Sequence, residues 1–450
     1  MIDTFIEKPR VTCALGGALI TVSSLPRTVP ILHASLGCGG MTSASFNAGS
    51  GYLGSGYCGG NSIPVSGITE KEIVFGGVDR LDEQIKHTVD IINADLFVVI
   101  SGCTAEIIGD DIVSVVREYN ANRQDLPPVL FASGAGFKGN SYWGYENVLQ
   151  SLFTDYVKKT TAKRKRLVNI WGIPPGQDVF WEGNLVEIRR LLEALGLTVN
   201  SFFTASDSLE LIRSAAEAEL NIVLSLVNGI DAARTFEKVH GTPFISTTLP
   251  IGAKATQSFL SEVASKLNID INFAQRTIAK ETSEYYHYFN RLVDAYSDID
   301  LQRYTVIIGD SNYALGLTSF AQNELGWIPG LVVITDQLED PLIDCIQKEF
   351  TSIVPDAKEN LVFDSDTSGV SKAFTKRWPW SDGSRYHRAF SPAFVLGSRL
   401  DKEFADNIGA GHLSVSYPVS NRVVLNKGYA GFTGGLHLTE DIYSNILSLR

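Results

Sequence analysis

Basic side chains are in deficit: 38 Lys and Arg stand against 50 Asp and Glu, for a net charge of −12 and a pI near 5.1. That balance excludes a general nucleic-acid binder, which needs basic surface to displace the counterions of phosphates. The one basic run, KKTTAKRKR (158–166), has no interleaved aromatics and lies between folded patterns, so it reads as a solvated linker or helix end. No apolar run approaches the roughly 20 residues a membrane span requires. The start, MIDTFIEKPRVTCALGG, has no charged n-region, apolar core and cleavage site, so no secretory signal is evident and a cytoplasmic location is expected. Cysteine is sparse, at five in 450 residues. A disulfide framework is therefore not expected, and attention moves to metal binding. No CxxC pair occurs, which excludes a zinc ribbon or a local ferredoxin loop. A Walker A motif is also missing, so the chain cannot hold ATP by that route.

What is present is enough apolar material, 44% of the chain, for a large folded core. Apolar β-rich runs followed by helix-period runs recur along the whole length: 95–102 before a helical run over 103–119, 166–173 before 184–196, and 304–309 before 312–325. In 184–196 the residues Leu185, Ile188, Leu191, Leu192 and Leu195 fall at helical spacing, and Gly196 takes the place of a C-cap glycine. Further strands are expected at 221–227, 331–335, 393–398 and 413–418. The pattern predicts an α/β fold of three Rossmann-like domains, with parallel sheets flanked by helices and right-handed crossovers. The expected domains are 1–160, 161–300 and 301–450, with boundaries in the polar stretches 156–166 and 297–303.

Four of the five cysteines lie in the first quarter of the chain: Cys13, Cys38, Cys58 and Cys103. Residues 34–67 are dominated by Gly and Ser, which lets backbone approach a bulky group and donate N–H bonds to it, as an inorganic cluster or a phosphate requires. Gly37, Gly39 and Gly102 flank the cysteines and are candidates for that role. Cys38 follows a predicted strand at VPILHAS, and Cys103 follows LFVVIS and opens a helix. Strand ends are where open α/β sheets take ligands, and a helix N-terminus favours the thiolate that iron binds. Small buried core cysteines are the alternative. The stretch GSGYCGG is only superficially like a dinucleotide fingerprint, so an NAD-dependent dehydrogenase would rest on fold alone and would leave the cysteine placement unexplained.

Four stretches together carry a resemblance: CALGGAL (13–19), HASLGCGG (33–40), TEKEIVFGGVDRL (69–81) and SGCTAEIIGDDI (101–112). They resemble the component 1 proteins of nitrogenase and nitrogenase-like reductases over nearly the whole chain. The resemblance implies that Cys13, Cys38 and Cys103 supply three thiolates to an iron–sulfur cluster, a P-cluster [8Fe-7S] or a [4Fe-4S] counterpart, shared with a related alpha-type subunit. It further implies an α₂β₂ complex, a homodimeric iron protein that uses ATP, and an active-site iron–sulfur cofactor in the alpha-type partner. Cys58 is a candidate extra ligand, read here as a buried or interface thiol.

The middle stretch NIVLSLVNGIDAARTFEKVHGTPF lacks the cofactor cysteine of an alpha-type chain, Cys345 falls away from that motif, and His437 reads as an ordinary surface or interface histidine. The resemblance is therefore to the beta-type subunit, which relays electrons and completes the partner's pocket. Departures narrow it. CALGGA stands where the family has Cys-Gln-Pro-x-Gly-Ala, few residues precede Cys13, and a cluster-ligating serine is replaced in SGAGFKGN near Gly136. These point to a nitrogenase-like enzyme, with reductive C–S cleavage of methylthio-alkanes as the expected reaction. The alternatives are the beta subunit of a vanadium or iron-only nitrogenase and a cofactor-assembly scaffold, some of which lack part of the three-cysteine set.

Overall fold

The computed structural model describes residues 6–51, 63–298, 300–379 and 390–448. Its strands are β1 (Thr28–His33), β2 (Leu96–Ser101), β3 (Val129–Ser133), β4 (Leu167–Trp171), β5 (Thr198–Asn200), β6 (Leu220–Val223), β7 (Phe244–Ser246), β8 (Tyr304–Gly309), β9 (Ile328–Ile334), β10 (Leu361–Phe363), β11 (Ala393–Gly397) and β12 (Gly411–Ser414). They form three sheets, ordered β1-β2-β3, β5-β4-β6-β7 and β10-β9-β8-β11-β12, with every pair parallel. Helices cover both faces, which is why a central strand such as β2, LFVVIS, is apolar almost throughout and buried at every position. This is the α/β architecture expected from the sequence. Leu32, Val98, Ile170, Ile307 and Val332, from all three sheets, share one continuous core, while smaller clusters fill the other faces of the first and third sheets.

Eight helices position the site: α1 (Ala14–Ser23), α2 (Leu36–Gly49), α3 (Glu70–Phe75), α4 (Val78–Ile91), α5 (Cys103–Ile108), α6 (Ile112–Asn122), α7 (Ser141–Ser151) and α8 (Trp181–Ala194). The helical run expected over 103–119 is broken in two. Gly109 turns left-handed at φ +79 to end α5, and the Asp111 carboxylate accepts the Ser114 N–H at 3.1 Å to start α6. The strand expected over 221–227 stops at Val223, because the Ser225 hydroxyl accepts the N–H groups of Val227 and Asn228 and turns the chain. Gly196 is left-handed after α8, as its C-cap position predicts. Within 158–166, the Lys163 ammonium is pinned to the Ala216 carbonyl and the Thr242 hydroxyl. That basic run therefore lies against the middle sheet's connections.

The C-terminal sheet is keyed to the middle one by buried polar groups. Asn312 donates to the carbonyls of Leu224 and Gly172, just beyond β6 and β4, and the Tyr313 hydroxyl donates to Asp178 at 2.9 Å. Asp178, Asp310 and Asp336 are all buried at this junction. Burial pushes Asp178 up to about 6, against hydrogen bonds from Tyr313, Phe180 and Asn184. Burial also holds Asp310 and Asp336 above the ordinary carboxylate range, and for Asp310 the neighbouring Asp336 and Asp178 add to it. A carboxyl raised on folding contributes stability that is complete below its unfolded value of about 3.9 and is lost as pH rises through its folded value. The urea midpoint is therefore expected to fall as pH rises from about 4 to about 8, and to fall less in Asp310→Asn, whose amide oxygen can still accept the Asn312 and Tyr313 N–H groups. Equal declines in the two proteins would refute the assignment.

Candidate functional site

β1 and β2 lie side by side, with His33 opposite Ser101, so the loops leaving them emerge together at the C-terminal edge of the first sheet. Cys38 is the third residue of α2, after β1, and Cys103 is the first residue of α5, after β2. Cys13 arrives from a different direction, as the extended residue that caps α1. Its backbone bridges to Asn140, and the flanking bonds Ser141 N–H to the Thr12 carbonyl and Ala14 N–H to the Gly139 carbonyl seat it against the start of α7. All three thiols are exposed, and all three sit at helix N-termini, where the backbone dipole favours negative charge.

Gly136 ties two of them together. Its N–H donates to Cys103 Sγ at 3.1 Å. A methyl group at Gly136 would lie 2.9 Å from Cys13 Cβ, 3.7 Å from Cys13 Sγ and 3.6 Å from Cys103 Sγ. Cys38 is within electrostatic reach of both: desolvation first, then the Cys13 and Cys103 thiols, push its thiol above the usual value. A cationic centre among the three reverses that balance and favours thiolates. Among the described residues, no set of three or more His, Cys, Asp or Glu is gathered to hold a single metal ion. A polynuclear cluster makes a different demand, because its cysteines bind different irons. The donor set fits such a group: three soft thiols, an N–H directed at a sulfur, and a glycine whose Cβ would crowd Cys13 and touch the Cys103 sulfur.

The segments that carry the resemblance are stitched together by a network that the sequence did not reveal. Buried His33, at the end of β1, holds Ser66 through Nδ1 and Asp110, just after α5, through Nε2 at 2.8 Å, and Asp110 also accepts the Gly77 N–H at 2.8 Å. Burial lowers the His33 pKa even though Asp110 opposes it. Glu106, on α5, accepts from Ser101, Ser133 and Lys138. Burial raises its carboxyl, but those three bonds outweigh burial and hold it below the ordinary range. Polar residues near Cys38 and Cys103 were the available signal; partners up to 77 residues apart were not readable without the fold.

The three candidate glycines divide. Gly102 is required by packing, since a Cβ there would meet Ala34 at 2.6 Å, and Gly39 is tight against Val65 at 3.0 Å. At Gly37, beside Cys38, a Cβ would meet nothing within 4 Å, so nothing among the described residues explains the glycine. Cys58 lies outside the described residues. Cys345 is exposed on the helix Asp340–Ile353, and His437 is half-buried with Nδ1 against the Gly428 carbonyl. Several segments of the first domain, among them those that carry Cys38 and Cys103, also expose apolar side chains. Leu36 and Met41 on α2, Val74 and Phe75 on α3, Ile107 on α5 and Phe137 beside Gly136 are all exposed, Phe75 by 82%. Among the described residues, no helix is long and apolar enough to cross a membrane.

Three parallel sheets that present a thiol set at one sheet edge define a class of protein, and the sequence matches that class. The family described as nitrogenase component 1 type oxidoreductase matches residues 13–447, and the chain belongs to it. Within that family it is similar to beta-type chains. It is 24% identical to the nitrogenase molybdenum-iron protein beta chain of Frankia alni, over 99% of this chain and 83% of that one. The corresponding chain of Methanococcus maripaludis is 22% identical, over 99% and 95%. One of the subunits of the light-independent protochlorophyllide reductase of Heliobacterium modesticaldum is 24% identical, over 96% and 77%. A solved structure, "Nitrogenase Cp1 at pH 6.5", shares the fold with a TM-score of 0.79 at 19% identity, over 100% of this chain and 94% of that one.

Proposed function

We propose that this chain is the beta-type subunit of a nitrogenase-like two-component reductase, with Cys13, Cys38 and Cys103 holding one half of an iron–sulfur cluster at its interface with an alpha-type subunit. The observation that carries the reading is that three exposed thiols are neighbours, on elements that also expose apolar side chains: Leu36 and Met41 on α2, and Ile107 on α5. Exposed apolar surface marks association sites, and closing a partner over these elements would bury the thiols and exclude water. Once bound, such a cluster supplies one-electron relay between an ATP-dependent iron protein and the cofactor of the alpha-type subunit. The chain's own contribution is positional and electrostatic. The Gly136 N–H donates to Cys103 Sγ, and the Glu106, Ser101, Ser133 and Lys138 cluster fixes α5 against β2 and β3. The proposed domains, 1–160, 161–300 and 301–450, each contain one of the three sheets.

The proposed reaction is reductive C–S cleavage of methylthio-alkanes. The departures from the nitrogenase pattern, CALGGA at the first cysteine and Gly136, which offers an N–H and no hydroxyl at the Cys13–Cys103 contact, support a nitrogenase-like enzyme and do not themselves select the substrate. Dinitrogen reduction is the second reading, favoured by the names of the molybdenum-iron beta-chain relatives. Purified anaerobically with its alpha-type partner and iron protein, the complex is expected to release methanethiol from methylthio-ethanol and to make little ammonia from N₂. Ammonia as the dominant product would reverse the choice. A complex that turns over neither substrate, yet passes a cluster to another protein, would point to an assembly scaffold.

A further inference from the structure

Residues 7–12 run from the C-terminal sheet to Cys13 and are fastened at both ends. At the far end Asp366, after β10, accepts the N–H groups of Glu7 at 2.6 Å and Lys8 at 3.2 Å, while Thr367 returns two bonds to the Lys8 carbonyl. Next, the Arg10 guanidinium makes two bonds to Asp401, at 2.8 and 2.6 Å, and a third to the Ser398 hydroxyl at 3.0 Å, just beyond β11. Both charged partners are buried, Arg10 to 4% and Asp401 to 1% exposure. Asp401 is fixed in turn by the Ser398 N–H and hydroxyl. At the near end the Ser141 N–H holds the Thr12 carbonyl and the Ala14 N–H holds the Gly139 carbonyl.

We infer that Arg10 and Asp401 are positioning residues, through which the C-terminal sheet sets the place of Cys13 relative to Cys38 and Cys103. The inference rests on the reading of Cys13 as a cluster ligand. A chain end that merely covered apolar surface would do so with side chains of no fixed direction. This one uses directional, charge-assisted bonds to loops at the ends of two strands of the C-terminal sheet, separated from it in sequence by more than 350 residues. Three residues beyond Arg10 can span at most about 10 Å, so the segment has little slack, and a shift of the C-terminal sheet is passed to Cys13. The other two cysteines stand on the first sheet and its own helices, so such a shift alters the spacing within the thiol set.

Hydrogen exchange on the full chain as purified tests this without needing iron. In Arg10→Met and in Asp366→Ala, the Ala14 and Ser141 amides are expected to exchange about a hundredfold faster, as local opening of an unpaired anchor predicts. Gly102 and Gly136, around Cys103, should keep their rates. Arg10→Lys, which keeps the ion pair, should restore most of the protection. Faster exchange confined to residues 7–11 and the anchor loops, or spread evenly through the chain, overturns the inference, as does a failure of Arg10→Lys to rescue. If Arg10→Met does not fold because Asp401 is left buried and unpaired, Asp366→Ala carries the test alone. Absence of iron from the wild-type complex would count against the cluster reading and leave the exchange result to judge the brace.

Discussion

Cys103→Ala is expected to remove the interface cluster's iron and to lower turnover of the purified complex at least about a hundredfold, since even outer-shell partners of metal ligands are worth 10- to 100-fold. The alpha-type subunit's own cofactor iron should remain, so total iron falls by a fixed share. Cys103 is the most informative of the three thiols because its sulfur already accepts the Gly136 N–H and its helix is anchored by Glu106 and Asp110. The alanine variant therefore removes a donor atom while leaving a well-held backbone. Cys345→Ala, on the exposed helix Asp340–Ile353, is the matched control and should change neither iron nor rate. Normal iron content and full activity in Cys103→Ala would defeat the assignment. Anaerobic iron and sulfide analysis with EPR reads the result directly.

The second large effect concerns glycines that hold the first cysteine in place. α1 and α7 cross with their backbones in contact: a Cβ on Gly17 would lie 1.8 Å from the Ser141 carbonyl oxygen, and one on Gly144 would lie 2.0 Å from that of Ala14. In an isolated helix Gly→Ala gains about 1 kcal/mol. Here the obstructing atoms are backbone, which cannot rotate away, and overpacking costs of about 1–3 kcal/mol or more apply to each residue. The clash wins. Gly17→Ala and Gly144→Ala are each expected to be destabilising by about 2 kcal/mol or more despite the better propensity. Because α1 begins at Cys13 and α7 begins beside Asn140, the same variants should also weaken iron retention. Denaturant midpoints at or above wild type would show that the helices separate at little cost.

These glycines show where reading the sequence ends. CALGGAL was legible as a motif, but Gly17 belongs to helix packing against residues some 125 positions later, and no local pattern announces a contact of that range. The same holds for His33 and Asp110. Each lies in a stretch that carries the family resemblance, yet their bond depends on β1 and β2 lying side by side, so that the loops leaving them meet. The buried carboxyls Asp178, Asp310 and Asp336 look in sequence like ordinary polar turn residues after strands. Only the meeting of two sheets removes them from water.

By itself the sequence determined the fold class, because apolar strands alternating with helix-period runs can bury their surfaces in few ways other than parallel sheets covered by helices. It also pointed to the candidate residues, Cys38 and Cys103 by their place at predicted strand ends and Cys13 through the resemblance carried by CALGGAL. The tertiary structure decided that the thiols of Cys13, Cys38 and Cys103 are neighbours and exposed, and that Gly136 stands between two of them. It also decided that residues 7–10 are bonded to loops of the C-terminal sheet. The physical reason is range. Periodicity and capping act over a few residues and are written locally, whereas spacing between side chains 25 to 390 positions apart is set by how whole sheets pack.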